Sequence, residues 1–170
     1  MILTQFLRWF EQIQQQTVTK KHRSLIVLAG DYSWSVSLIE QIKKSSNFMS
    51  KVGGVETTGQ NEGWLTYSDA DTLNANVTKQ NYRYKLGSES QAVVFADSEF
   101  NIDALAALSG TIKAGGILFI LFPEKLSVIK KNQKSLFLKR FIDKIEHLFL
   151  SNIIEQDQEL FSYEVTEKNT

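Results

Sequence analysis

The arrangement of apolar and polar residues predicts two buried strands in the middle of the chain. Ala92–Ala96 and Ile117–Phe122 are uninterrupted apolar runs, the first followed by Asp97 and the second by Pro123. Strands that are apolar on both faces are typical of a parallel sheet with helices on both sides. The two runs therefore predict a pair of parallel strands.

The segment between these runs predicts a helix. Its apolar residues recur at helical spacing: Ile102, Leu105, Ala106 and Ile112. Asn101 is placed to cap the first turn, Phe100 to pack against Leu105, and Gly115 and Gly116 to provide a left-handed exit. Strand, helix and strand within the 32 residues from Ala92 to Pro123 form a right-handed βαβ unit.

Amphipathic helices are predicted at both ends of the chain and after its first strand. Each has apolar residues three or four positions apart. The three sets are Leu3, Phe6, Leu7, Phe10 and Ile13; Trp34, Leu38, Ile39 and Ile42; and Leu138, Phe141, Ile142, Ile145, Leu148 and Phe149. We expect them to cover a sheet whose other buried strands are Leu25–Leu28 and Trp64–Ser68.

Three further stretches have weaker patterns. Asn47–Gly63 is expected to be a loop with one weak strand at Val52–Val55, and Glu124–Lys134 to be a charged connection. Ile153-Ile154 and Leu160–Val165 favour a closing hairpin or short edge strands.

Together these elements predict a single α/β domain over residues 1–170. We expect a three-layer α/β/α sandwich with a mostly parallel, Rossmann-like sheet of four to five strands. The length is sufficient for one domain with a core, and 42% hydrophobic and 22% charged residues are ordinary for a globular protein.

Charge and residue usage exclude several classes of function. Lys and Arg number 19, as do Asp and Glu, so the basic excess of a dedicated nucleic-acid module is missing. The absence of cysteine excludes disulfides and thiol nucleophiles. No apolar run approaches the length of a membrane span, and no basic region precedes the N-terminal apolar residues. We expect a cytoplasmic protein with no membrane partner.

No established catalytic or cofactor motif is present. The sequence has no P-loop, no G-x-G-x-x-G fingerprint after a strand and no G-x-S-x-G elbow. His22 and His147 lie in unrelated segments, which makes a histidine metal site improbable. We therefore predict no catalytic residue, no cofactor-binding residue and no metal ligand within this chain.

Four residues near predicted strand ends are candidates for a ligand site or an interface. Gly30, Asp31 and Asp97 follow parallel strands, where ligands of open α/β sheets bind, and Trp34 lies close by in the sequence. The alternative is that the Asp and Gly residues cap helices and turn the chain and that Trp34 belongs to the core. The sequence favours this structural interpretation.

Two lysine-rich stretches are candidates for RNA contact. The residues are Lys20, Lys21 and Arg23, and Lys130, Lys131 and Lys134. Positive side chains of this kind contact phosphates. The competing interpretation is that they only keep the surface solvated.

The central unit resembles a known family. The string LGSESQAVVFADSEFNIDALAALSGTIKAGGILFILFP (Leu86–Pro123) resembles the N-terminal domain of bacterial tRNA(Met) cytidine acetyltransferases, and Leu108–Gly116 is its most specific part. RSLIVLAGDYSW (Arg23–Trp34) is similar to that family's first strand and turn, and EGWLTYS falls at its second strand. The resemblance covers roughly Arg23 to Val165.

The resemblance implies a larger parent enzyme. Such proteins carry an ATPase/helicase-like module, an acetyltransferase module that binds acetyl-CoA, and a tRNA-binding tail. Together these make N4-acetylcytidine at the wobble position of elongator tRNA(Met), using acetyl-CoA and ATP or GTP with Mg. The chain itself is then expected to be a non-catalytic N-terminal fragment that packs on the ATPase module and helps to shape the tRNA-binding surface.

Two other functions stay open from the sequence. One is a stand-alone nucleotide- or small-ligand-binding domain that uses Gly30, Asp31 and Asp97. The other is a purely structural module that docks a partner through an exposed apolar patch.

Overall fold

The fold is known from a computed structural model, which describes residues 3–45, 63–69 and 73–158. The predicted strand at Val52–Val55 and the predicted segment Leu160–Val165 lie outside the described residues.

The described residues form one parallel sheet of five strands. The strands are β1 (Ser24–Ala29), β2 (Trp64–Ser68), β3 (Ser90–Ala96), β4 (Ile112–Phe122) and β5 (Ile153–Glu155). Their order across the sheet is β2-β3-β4-β1-β5, and every paired neighbour is parallel. The predicted sheet is confirmed, and Ile153-Ile154 belong to a short edge strand.

Five helices flank the sheet in the described residues. They are α1 (Leu3–Thr19), α2 (Tyr32–Lys44), α3 (Ile102–Ser109), α4 (Leu126–Asn132) and α5 (Leu136–Phe149). Short 3₁₀ turns occupy Tyr82–Lys85 and Leu150–Asn152. The predicted charged connection at Glu124–Lys134 is wrong because it contains α4, whose Leu126 and Ile129 are buried one turn apart.

Two hydrophobic cores lie on opposite faces of the sheet, which gives the three predicted layers. The helices α1 and α2 cover one face, where Phe6, Phe10 and Ile42 pack around Phe119. The helices α3, α4 and α5 cover the other face. Successive residues of a strand point to opposite faces, so a strand covered on both sides is apolar throughout. All seven residues of β3 are buried.

The amphipathic patterns of the terminal helices are confirmed only in part. Phe6 and Phe10 of α1 are fully buried, but Leu3 is exposed. In α5, Leu138, Ile142 and Ile145 form the buried stripe. Leu148 and Phe149 are exposed.

The central βαβ unit is confirmed, but the boundary between its helix and second strand is wrong. Asn101 caps α3 by accepting from the Ala104 N–H, as predicted. The helix ends at Ser109, and Ile112 already belongs to β4.

The glycine pair forms a bulge inside β4 rather than a helix exit. Ser90 pairs with Ile112 and Ala92 with Ile117, so extra residues of β4 loop out between these pairs. Gly115 lies at the bulge with a φ of +85° and donates its N–H to the His22 carbonyl at 2.6 Å. A positive φ favours glycine, and bulges re-aim a strand in this way.

Candidate functional site

The carboxyl ends of the parallel strands meet at one edge of the sheet, here called the carboxyl edge. Gly30 and Asp31 follow β1, Asp97 follows β3, and Glu124 follows β4. The structure thus brings the candidates Gly30, Asp31 and Asp97 to one edge, as parallel strands require.

The crevice between β1 and β4 is the topological switch point of this sheet. The strand β1 leads into α2 on one face, whereas β4 leads into α4 on the other. Ligands of open α/β sheets bind in such a crevice, with phosphates at the N-terminus of the following helix. A nucleotide site in this fold would be expected here.

Gln156 lies beside the carboxyl end of β1, on the side of β5. Its side-chain Oε1 accepts from the Asp31 N–H at 2.7 Å, and its own N–H donates to the Ala29 carbonyl at 2.9 Å. A Cβ added to Gly30 would lie 2.5 Å from the Gln156 Cβ and 3.0 Å from the Trp34 ring. Gly30 is therefore required by the close approach of Gln156 and Trp34.

Asp31 and Trp34 have structural surroundings. Asp31 stands at the N-cap position of α2 without a side-chain capping hydrogen bond, and its carboxylate is exposed. Trp34 is half-buried against the core of the α1 and α2 face. A carboxylate beside the first turn of α2 adds negative charge where a phosphate would need positive charge.

The first N–H group of α4 is hydrogen-bonded in the same manner. Glu155, the last residue of β5, accepts from the Leu126 N–H through Oε1 at 2.9 Å. At the start of each helix that flanks the switch point, one N–H is thus bonded to a side chain that follows or ends β5. These contacts and the exposed Asp31 carboxylate disfavour a phosphate at this edge.

Asp97 turns the chain into α3. Its carboxylate accepts from the Glu99 N–H at 3.1 Å and from the Asn101 N–H at 2.9 Å. Asp69, which follows β2, accepts from the N–H and hydroxyl of Ser98 in the same turn. These contacts agree with the structural interpretation of Asp97.

The surroundings of two tyrosines near these carboxylates raise the pKa of their hydroxyl groups. Burial raises the pKa of Tyr32 to about 12, and the charges of Asp69 and Asp97 add to the rise. Burial likewise raises the pKa of Tyr67 to about 12, again with a contribution from Asp97. The Tyr32 hydroxyl has no hydrogen-bond partner among the described residues.

A small open cleft lies at the carboxyl ends of β3 and β4. Its volume is about 200 Å³, and its lining includes Asp97, Phe100, Phe122, Glu124 and Leu138. Ligand pockets usually measure about 300–1,000 Å³. The cleft is smaller than most ligand pockets, but it is large enough for a side chain or a small organic group.

The two basic regions lie at opposite edges of the sheet. Lys20, Lys21 and Arg23 are exposed in the connection that enters β1 at its amino end. Lys131 and Lys134 are exposed in and after α4, on the carboxyl side. The structure does not bring the two regions together.

Lys130 differs from the other lysines because it is engaged within the fold. Its ammonium group contacts the carboxylate of Glu146 and lies 3.2 Å from that of Asp143, both on α5. The hydrogen bond to Glu146 raises the pKa of Lys130. Its role is thus at least partly to join α4 to α5.

The sequence did not indicate the roles of Glu155 and Gln156, whose side chains accept hydrogen bonds from N–H groups at the starts of α4 and α2. They lie 29 and 125 residues from their partners, and no local pattern indicates contacts over such distances. Asp69 had a signal, because it follows its strand as Asp97 does.

The described residues hold neither a metal-binding cluster nor a membrane-spanning helix. No cluster of three or more His, Cys, Asp or Glu side chains in the described ranges is arranged to hold a metal ion. No helix in the same part of the chain has the length and apolar character to cross a membrane.

Comparison with known proteins gives two matches. The family model described as "tRNA(Met) cytidine acetyltransferase TmcA, N-terminal" matches residues 1–160. The tRNA(Met) cytidine acetyltransferase TmcA of Nitrosococcus halophilus (strain Nc4) is 28% identical over 103 residues, which are 60% of this chain and 12% of the relative. The aligned segment therefore spans only a small part of that relative.

Proposed function

The chain belongs to the family of N-terminal domains of tRNA(Met) cytidine acetyltransferases, as the Leu86–Pro123 string predicts, and from this premise we propose that it is a non-catalytic scaffold of such an enzyme. The full-length protein makes N4-acetylcytidine at the wobble position of elongator tRNA(Met) in the cytoplasm. It uses acetyl-CoA and ATP or GTP with Mg, in modules outside these 170 residues. This domain packs on the ATPase module and contributes to tRNA binding.

The side-chain contacts at the two helix starts beside the switch point are the observation that carries the scaffold role. Gln156 accepts from the N–H of Asp31, the N-cap residue of α2, and Glu155 accepts from the first N–H of α4. Both lie where a phosphate would bind in a nucleotide site of this fold. An exposed carboxylate, Asp31, stands at the same place. ATP, GTP and acetyl-CoA all carry phosphates, so the arrangement supports binding of these ligands elsewhere in the protein.

Exposed lysines support the contribution to tRNA binding. Lys20, Lys21 and Arg23 present positive charge at the amino edge, and Lys131 and Lys134 do so at the carboxyl side. Each lysine that neutralises a phosphate contributes to affinity through release of counterions. Lys130 is a weaker candidate because its charge is already balanced by Glu146 and Asp143.

Charge reversal in the full-length protein tests the tRNA contact at each edge separately. One variant carries Lys20→Glu and Lys21→Glu, and the other carries Lys131→Glu and Lys134→Glu. Loss of each phosphate contact is expected to lower the slope of log affinity against log salt by about 1. Binding of tRNA(Met) is measured over a series of salt concentrations.

The matched control for these variants carries Arg8→Glu and Lys44→Glu. Both residues are exposed on α1 and α2 and lie outside the two candidate stretches of the sequence, and the change in net charge is the same. If neither test variant differs from this control in affinity or salt slope, the tRNA contact is refuted while the scaffold role stands.

The cleft at the ends of β3 and β4 favours binding of a small ligand as the second candidate function. Titration of the protein with ATP and with small organic cations, followed by calorimetry, separates the two candidates. Saturable binding that Asp97→Asn or Glu124→Gln abolishes would favour the ligand site over the scaffold.

A further inference from the structure

Among the described strands, β2 forms one edge of the sheet and lacks the features by which edge strands usually resist pairing with another chain. It has five residues, carries no charge and no proline, and pairs with β3 in unbroken register. At the opposite edge, β5 has only three residues and ends at the charged Glu155. Open edges are templates for strand addition, and short strands, charges, prolines and bulges are the usual protection. The edge of β2 therefore depends on contacts from outside the strand.

The Asn76 side chain supplies such contacts. Its Oδ1 accepts from the Thr66 N–H at 2.8 Å, and its Nδ2 donates to the Trp64 carbonyl at 3.0 Å. In a parallel pair, a residue donates its N–H to one carbonyl of the neighbouring strand and accepts from the N–H two residues further on. The carboxamide makes this pair of hydrogen bonds opposite Leu65. It thus takes the place that a residue of a sixth strand would have.

The main chain beside Asn76 extends the same arrangement by one residue. The N–H groups of Asn76 and Val77 both donate to the Thr66 carbonyl, at 3.1 and 3.0 Å. Val77 also forms an isolated parallel bridge with Tyr67. The outward-facing N–H and carbonyl of Thr66, in the middle of the strand, are therefore both bonded to this short segment.

Buried residues on either side hold Asn76 at the edge. Leu73 is buried in the core of the α1 and α2 face, whereas Val77 is fully buried in the core of the opposite face. The ends of this segment are thus anchored on the two faces of the sheet, and Asn76 lies between them at the edge of β2. Because both ends are fixed, little further conformational entropy is lost when the amide is placed.

We propose that Asn76 closes the edge of β2 and so keeps this chain from pairing with a second copy of itself through that strand. Removal of the carboxamide takes one hydrogen bond from the Trp64 carbonyl and one from the Thr66 N–H. The strand that would be opened is rich in β-forming residues and carries no charge, which is typical of segments that associate. The proposal does not depend on the function proposed above.

Substitution of Asn76 by alanine tests this role, with Asn74→Ala as the matched control. Both asparagines are exposed, and both changes remove an amide without altering the net charge. The molar mass of the 170-residue chain is measured by sedimentation over a range of concentrations. We expect the mass of Asn76→Ala to rise with concentration above that of the unsubstituted chain, whereas Asn74→Ala matches the unsubstituted chain.

Asn76→Asp separates strand pairing from a general loss of stability. Aspartate has nearly the shape of asparagine, but its carboxylate cannot donate to the Trp64 carbonyl, and its charge lies at the edge, where charges oppose strand addition. We expect this variant to melt at a lower temperature than the unsubstituted chain, as Asn76→Ala does, without the rise in mass. Equal association of the two variants, or no association of folded Asn76→Ala, overturns the proposal.

Hydrogen exchange checks the contact in the unsubstituted chain. The Thr66 N–H must lose its hydrogen bond to Asn76 before it can exchange. We therefore expect it to exchange about tenfold more slowly than the N–H of the exposed Asn74. Equal exchange at the two positions overturns the proposal, even where Asn76→Ala fails to fold.

Discussion

Substitution of Gly116 by alanine tests whether the close packing at the bulge of β4 requires glycine at this position of the string that resembles the family. A Cβ at Gly116 would lie 2.6 Å from the Gln91 carbonyl oxygen, 2.6 Å from Ile112 Cγ2 and 3.0 Å from the Lys113 carbonyl oxygen. Two of these atoms belong to the backbone near the pairing of β3 with β4. Main-chain atoms in a sheet are less free to move aside than the end of a flexible side chain.

The expected cost follows from this overlap. Overpacking of a buried site costs about 1–3 kcal/mol, and the fixed carbonyls place Gly116→Ala at the upper end, near about 3 kcal/mol. For a domain of this size, 1 kcal/mol corresponds to about 2–4 °C. We therefore expect a melting temperature lower by about 6–12 °C and a matching shift in urea unfolding.

Two other glycines separate crowding from backbone strain. Gly110 has a φ of −65° and Ala107 O as its nearest neighbour at 3.3 Å, so Gly110→Ala is expected to change stability by less than about 0.5 kcal/mol. Gly87 has a φ of +83° and no atom within 4 Å, so Gly87→Ala is expected to cost about 1–2 kcal/mol from strain alone. If Gly116→Ala is as stable as Gly110→Ala, the close approach does not explain the glycine.

Three further predictions follow from the contacts of the site. The pKa of Tyr32 and Tyr67 is about 12 in the folded protein and about 10 in the unfolded chain. Their contribution to the free energy of unfolding is therefore complete below pH 10. It is lost as the pH rises towards 12, by about 1.4 kcal/mol per pH unit for each tyrosine. Absorbance titration at alkaline pH is expected to show two late tyrosines, one of which Tyr67→Phe removes; titration of all tyrosines near pH 10 would contradict this. Gln156→Ala is expected to lower the free energy of unfolding in urea by about 1–2 kcal/mol, because its hydrogen bond to Asp31 is lost. Gln12→Ala, on the exposed side of α1, is expected to change it little. Equal stability of the two variants would show that the Gln156 side chain does not stabilise this edge of the sheet. A double-mutant cycle of Lys130→Met and Glu146→Gln is expected to give a coupling of about 0.5–1 kcal/mol, and additive effects would refute the ion pair.

The sequence was sufficient for the layers of the fold because each buried strand carries its own local evidence. β3 and β4 are apolar on both faces, which only a sheet covered on both sides explains. Asn101 was identifiable as a helix cap because a cap contacts its own helix three residues later. Short-range patterns of this kind are visible without the partner elements.

The boundary errors have a common physical cause. Ile112 continues the helical spacing of α3, but its pairing with Ser90 in the neighbouring strand places it in β4. Likewise α4 is short, and the burial of its Leu126 and Ile129 depends on the sheet face beneath them. In both places tertiary contacts outweigh local propensity.

The sequence by itself determined the alternation of strands and helices, the family and the absence of a phosphate-binding loop, since these depend on residue types and short spacings. Only the tertiary structure decided that Gln156 and Glu155 accept hydrogen bonds at the starts of the two helices beside the switch point. It also decided that the basic regions lie at opposite edges. The physical reason is that strand order joins residues more than a hundred positions apart, and no pattern along the chain records which strand lies beside which.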